Sequence, residues 1–197
     1  MRLGIFGGSF DPPHLGHLLA ASDAFDELGL DRLVFVPTAA QPLKREGLVA
    51  TPAQRLAMVH YAVDGDPRFS VSTVEIDRKG LSYTVETLAV FADRYPDAAR
   101  YFLVGADAFA TFPQWREPAR IAALARVAVM QRAGDAEPVV PAGIAADAVV
   151  RLQTRRVDVS STEVRDRVAA GRPIRGFVPA AVADYIATAG LYRQGKA

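Results

Sequence analysis

The sequence predicts an α/β protein whose core is a doubly wound parallel sheet. Three observations carry that prediction. Short apolar runs alternate with helix-patterned segments along the chain, the runs are apolar at consecutive positions as buried strands are, and no repeat or low-complexity tract interrupts the order. The 197 residues, half of them hydrophobic, suit a single domain (1–197) with a large core and a helical last part, 160–197.

Each element follows in order. Leu3–Phe6 reads as a short buried strand, and Gly16–Leu28 as a helix that stops at Gly29. Arg32–Pro37 is a second strand, closed by its proline. Residues 38–50 have no clear period and contain Pro42, Lys44, Arg45 and Gly47, as a mobile or substrate-facing loop does. Thr51, Pro52 and Gln54 form a helix-start signature, and that helix should reach about Val63. Phe69–Ile76 alternates as a strand, and Ser82-Tyr83-Thr84 opens a helix through Phe91. Tyr101–Val104 is a strand ending at Gly105-Ala106-Asp107. Ile121–Leu124 finishes a short helix, Arg126–Gln131 is the next strand, and the Ala-, Gly-, Pro- and Asp-rich stretch 132–147 reads as a surface excursion. Val149–Val159 returns to strand character. Ser160 and Glu163 have capping-box spacing for a helix to about Ala170, and Pro179 opens a last helix ending at Gly190.

Composition removes several classes of function. The formal charge is +1, with 23 basic and 22 acidic residues, which gives no general field for nucleic acid. With no cysteine, disulfides, thiolate metal sites and cysteine nucleophiles are all excluded. No run approaches the roughly 18 apolar residues of a membrane span, and no signal peptide is visible. A cytoplasmic protein is the expectation. Nothing in the sequence indicates an oligomeric state.

The chemistry concentrates at two helix beginnings. In doubly wound sheets ligands sit beyond the carboxyl ends of strands where the order reverses, and the turns Gly7–His17 and Gly105–Asp107 both follow strands directly. A strand, a glycine turn and a helix start favour an anion at that place. The glycines alone fit an ordinary tight turn equally well, because neither the dinucleotide fingerprint nor a G-x-x-x-x-G-K-S/T loop is present. Two of the chain's three histidines, His14 and His17, stand at this turn and shift the balance. A zinc site lacks a third ligand group there, so contact with phosphates, as in a triphosphate, is the better reading. His60, inside an apolar helix pattern, reads as structural. The second beginning is Ser160-Ser161-Thr162-Glu163-Val164-Arg165. Its hydroxyls suit phosphate oxygens, and Arg165, one turn further on, offers a planar fork. In isolation this segment reads as a capping box with a solvated arginine.

Taken together, Gly-Ser-Phe-Asp-Pro with His-x-Gly-His and a later Ser-Ser-Thr-x-x-Arg resemble the nucleotidylyltransferase superfamily. Gly105-x-Asp107, Trp115 and the segment Arg78-Lys-Gly-Leu-Ser-Tyr-Thr84-x-Glu86-Thr87 are similar to its bacterial nicotinate-nucleotide adenylyltransferase branch. One departure stands out: where the family commonly has Pro-Pro-His-Lys, this chain has Gln41-Pro42-Leu43-Lys44, and only Lys44 carries over.

The resemblance implies a Rossmann-like nucleotidyltransferase fold. It further implies adenylyl transfer from ATP to nicotinate mononucleotide, giving nicotinate adenine dinucleotide and pyrophosphate in NAD synthesis. ATP would be held by Gly7, Gly8, Ser9, Phe10, His14, His17, Gly105, Asp107, Ser160, Ser161 and Arg165, with His14, His17 and Arg165 catalytic. Lys44, Thr84 and Trp115 would form the mononucleotide pocket. Mg²⁺ would bridge phosphate oxygens with few or no protein ligands. The partners implied are small molecules, not nucleic acid or a membrane. Rival readings are a sister transferase acting on nicotinamide mononucleotide or another phosphorylated acceptor, and a non-catalytic nucleotide sensor. A class I tRNA-ligase domain lacks its Lys-Met-Ser-Lys-Ser run here.

Overall fold

In β1 (Arg2–Gly8) successive side chains enter opposite cores, as a pleated strand requires. Leu3 and Ile5 join one apolar cluster and Phe6 the other, so both faces of the sheet are buried. The same division runs through β2 (Arg32–Pro37), β4 (Ala99–Gly105) and β5 (Arg126–Arg132). Helix α4 (Thr84–Arg94) and α6 (Pro118–Leu124) cover the first face. Helix α1 (Leu15–Leu28) and α2 (Pro52–Val63) cover the second. Gly4 is required by closeness: a Cβ there would stand 2.6 Å from Leu30 Cδ1. The computed structural model describes residues 1–40, 48–132 and 139–193.

With β3 (Phe69–Val71) and β6 (Val149–Thr154), the strands form a six-stranded sheet in the order β3-β2-β1-β4-β5-β6. Every neighbouring pair is parallel. This is the doubly wound order, and it reverses between β1 and β4, which pair through Arg2–Phe6 and Ala99–Leu103. The expected crevice therefore lies above that seam. No helix among the described residues is long and apolar enough to cross a membrane.

Several expected boundaries are met. Gly29 closes α1 in the left-handed conformation at φ 56°, which glycine adopts without strain. Thr51 and Gln54 cap α2 reciprocally. Others move. The strand expected over Phe69–Ile76 ends at Val71, and Val74–Arg78 is a short helix, α3. Glu75 on α3 is held inward by Thr87 Oγ1 at 2.6 Å, a tertiary contact that overrides the local alternation. The strand expected to run to Val159 stops at Thr154, which pairs with Arg132, the last residue of β5. Beyond it no ladder partner remains, and the Arg155 amide donates to the Asp23 carboxylate instead. A helical turn, α5 (Ala106–Phe109), and a 3₁₀ turn over Phe112–Gln114 were not expected. His60 is exposed near the end of α2 instead of packed among apolar neighbours. Most of the 38–50 loop, Lys44 included, and residues 133–138 of the excursion lie outside the described residues.

The carboxyl-terminal helices α7 (Ser161–Ala169) and α8 (Ala180–Thr188) build a third cluster with α2, centred on Met58, Val164, Ile174, Val182 and Ile186. That cluster brings Tyr192 beside the turn after β1.

Candidate active site

Two cavities open at the carboxyl ends of β1 and β4, one on each side of the seam. The smaller, about 300 Å³, is lined by His14, His17, Gly105, Asp107, Ser160 and Ser161 among others. The two helix beginnings, separated by more than 140 residues, thus share one hollow. The larger, about 550 Å³ and mainly apolar, is lined by Gly7, Gly8, Thr84, Phe102, Trp115 and Arg116 with their neighbours.

The histidine pair is fixed by the start of α1. His14 is the N-cap residue, and its backbone N–H donates to His17 Nδ1 at 3.2 Å. An accepting Nδ1 carries no proton, so the neutral His17 ring bears its proton on Nε2. The two rings lie 3.7 Å apart, and His17 also sits edge-on to Phe10 at 5.1 Å. Phe10 itself is 1% exposed, a core residue with φ 49°. The left-handed conformation costs about 1 kcal/mol or more, which burial of the ring offsets. That ring explains Gly8: a Cβ would meet Phe10 Cζ at 2.8 Å. Gly8 is small for its own neighbour, and with Gly7 it faces the larger cavity instead of the histidine hollow.

Helix α7 grips the same turn. Ser161 Oγ donates to the Pro12 carbonyl at 2.8 Å, and Arg165 Nη1 donates to the Asp11 carbonyl at 2.8 Å. Ser160 Oγ accepts from the Glu163 amide, so the cap is formed in one direction only. Arg165 does not line the histidine hollow; it also donates to Thr162 Oγ1 at 3.1 Å. Ser9 and Phe10 also stand outside both linings.

In the larger cavity Trp115 is half-buried. It is T-shaped to Phe102 and tilted on Phe112, and its Nε1–H donates to Thr111 Oγ1 at 3.0 Å. Arg116 lies over the Tyr83 ring at 4.7 Å and pairs with Glu86 at 2.9 Å. Among the described residues no three His, Asp or Glu side chains gather as a metal site would require.

The cytidylyltransferase-like family model matches residues 5–167. A probable nicotinate-nucleotide adenylyltransferase of Gemmatimonas aurantiaca is 49% identical over 98% of this chain and 93% of its own. One from Thermus thermophilus is 46% identical over 98% of this chain and all of its own. The chain belongs to the nicotinate-nucleotide adenylyltransferase family. Its fold is also that of a nicotinic acid mononucleotide adenylyltransferase of Plasmodium falciparum solved with NaAD, at TM-score 0.73, 16% identity and 97% of each chain.

Three side chains at the site escaped the sequence reading. Arg55 of α2, fully buried, donates to the carbonyls of Ser9, Thr38, Ala39 and Ala50. Burial pushes its pKa down while the Asp11 carboxylate opposes the shift. Its i+3 and i+4 neighbours Met58 and Val59 are apolar, a spacing that marks Arg55 as core-facing. Asp11 accepts from the amides of Val49 and Ala50 and from Tyr192 OH. Burial, then that bond, raises the Tyr192 phenol far above its ordinary value. Glu75, the third, had no sequence signal, because a lone glutamate in an alternating segment looks like surface.

Proposed function

We propose that this family member transfers the adenylyl group of ATP to nicotinate mononucleotide, releasing pyrophosphate and forming nicotinate adenine dinucleotide. The observation that carries the reading is the convergence of the α1 and α7 beginnings on one hollow, next to a second, apolar cavity holding a half-buried tryptophan. A triphosphate fits the first and a pyridine ring the second, with the turn after β1 between them.

The mononucleotide phosphate oxygen attacks the α-phosphorus of ATP. The bond from that phosphorus to the bridging oxygen of the β-phosphate breaks, and pyrophosphate leaves in line. The attacking oxygen is already ionised at neutral pH, so no side-chain base is required. The work of the protein is to hold two polyanions together, and orientation of this kind is worth up to roughly 7–11 kcal/mol. His14 and His17 contact the phosphates at the reacting centre, with His17 Nε2–H donating to charge that develops in the transition state. Ser160 and Ser161 border the phosphates, and Arg165 acts through the Asp11 carbonyl that it holds. Asp107 accepts from ribose hydroxyls beside Gly105. Thr84 and Trp115 receive the mononucleotide, and Trp115 stacks on its ring. Magnesium arrives as part of the MgATP substrate, coordinated by phosphate oxygens and water.

A pyrophosphate-release assay with ATP and a panel of mononucleotides tests the reading. Turnover with nicotinate mononucleotide is the expected result. Release with none of the panel would overturn it, and faster release with the amide would reassign the acceptor.

A further inference from the structure

Arg155, just past the end of β6, lines the histidine hollow, and the proposed chemistry leaves it without a task. Its backbone amide donates to Asp23 Oδ2 at 2.9 Å. Its side chain meets the same carboxylate as a fork: Nε is 3.0 Å from Oδ1 and 3.2 Å from Oδ2, and Nη2 is 2.9 Å from Oδ1. The Asp23 side chain is only 14% exposed, so the pair is anchored at its acidic end. A guanidinium is planar, and Asp23 takes the edge that carries Nε and Nη2. The two flat faces and Nη1 remain for an occupant of the hollow. With its charge largely spent on Asp23, Arg155 suits a phosphate grip poorly and a stacking surface well.

The rest of the lining shows which part of an occupant comes here. His14, His17, Ser160 and Ser161 supply polar groups for phosphates, and Asp107 an acceptor for a ribose. Ala20, Met130, Val157 and Val159 add an apolar wall that has nothing to offer an anion. Along α1, Asp23 lies about 9 Å beyond His17, with Ala20 between them. That span is of the order that separates a nucleotide's phosphates from its base. We propose that Arg155, held by its edge on Asp23, is the surface on which the purine base of ATP stacks, and so a specificity-determining residue for the nucleotide donor. The inference rests on ATP being the donor in the proposed function. It goes further by making the base a source of affinity, read by a residue outside both phosphate-binding helix beginnings.

Calorimetry with ATP and with inorganic tripolyphosphate separates the base from the phosphates, on the parent protein, Arg155→Ala and Arg155→Lys. Arg155 is 63% exposed, so its replacement leaves the core intact. Stacking of a base on a guanidinium contributes about 10-fold in affinity. Arg155→Ala should weaken ATP by about that factor and tripolyphosphate by less than about 2-fold. Arg155→Lys should resemble the alanine variant, because an ammonium keeps the charge but has no plane. The KM for the mononucleotide, whose cavity is separate, should stay within about 2-fold of the parent's in both variants. Equal weakening of ATP and tripolyphosphate, or full ATP affinity in Arg155→Lys, would show a point charge acting on phosphates and overturn the inference. Unchanged ATP affinity in Arg155→Ala, or a matching rise in the mononucleotide KM, would overturn it too. Failure of the proposed reaction looks different. A parent protein that binds ATP but releases no pyrophosphate with any mononucleotide loses its acceptor, while the two binding series still decide the role of Arg155.

Discussion

Arg55→Met isolates a contest between two large effects. The guanidinium is fully buried and has lost its hydration, a cost of several kcal/mol after relaxation. Against that stand its bonds to four carbonyls, those of Thr38 at 2.5 Å, Ser9 at 2.8 Å, Ala39 at 3.1 Å and Ala50 at 3.3 Å. Hydrogen bonds from a charged donor contribute about 1.5–3 kcal/mol each, so four of them outweigh the desolvation. Methionine fills a similar volume but leaves those carbonyls buried and unmet, and the net loss should be about 3 kcal/mol. For a chain of this length that lowers Tm by roughly 6–12 °C. Arg55→Lys, with a single point charge in place of the fork, should recover only part of it. Thermal and urea unfolding give the answer. A Tm within about 2 °C of the parent would mean that desolvation cancels the bonds, and Arg55 would then be no anchor.

The other predictions concern the two cavities. His17→Ala should lower kcat by about 10²–10³-fold with ATP binding nearly unchanged, and steady-state kinetics beside ATP calorimetry separate the two. Trp115→Ala should raise the KM for the mononucleotide by about 10-fold, a stacking contribution of about 1–3 kcal/mol, and spare that for ATP. Equal losses for both substrates would indicate damage to the fold. Glu75 also predicts a pH trend in the absence of ligand. Its folded pKa is raised, so its contribution to stability is fullest at acid pH and is lost as pH rises from the ordinary carboxylate value through the folded one. Denaturation curves across that range should show Glu75→Gln gaining on the parent protein as pH increases.

The alternation of strands and helices was legible because it is written in local periods. The run Arg32–Pro37 and the cap at Thr51 fall where the sequence puts them, since proline and a reciprocal cap act within a few residues. The errors share a cause. Val74–Arg78 turns helical, and the last strand stops at Thr154, because of partners that are distant in sequence: Thr87 for Glu75, and the end of β5 for Thr154. For the site, side chains that define a motif could be named, but not the contacts that orient them. His14 and His17 could be read as a pair. That the His14 amide would fix the His17 tautomer could not.

The turn after β1 shows why such distant partners are needed. Pro12 and Pro13 have no N–H to donate, and Phe10 is in a left-handed conformation, so the segment cannot hold itself by internal backbone bonds. Its carbonyls are instead met from outside: Gly8 by the Thr38 amide, Ser9 by Arg55, Asp11 by Arg165 and Pro12 by Ser161. Leu15 completes the set by donating to the Phe177 carbonyl. Two of those donors are guanidinium groups, which draw the negative ends of the peptide dipoles away from the hollow while adding positive charge behind them. A segment that must receive a triphosphate gains twice from this arrangement. It is held chiefly through its carbonyls, and the field across it favours an anion.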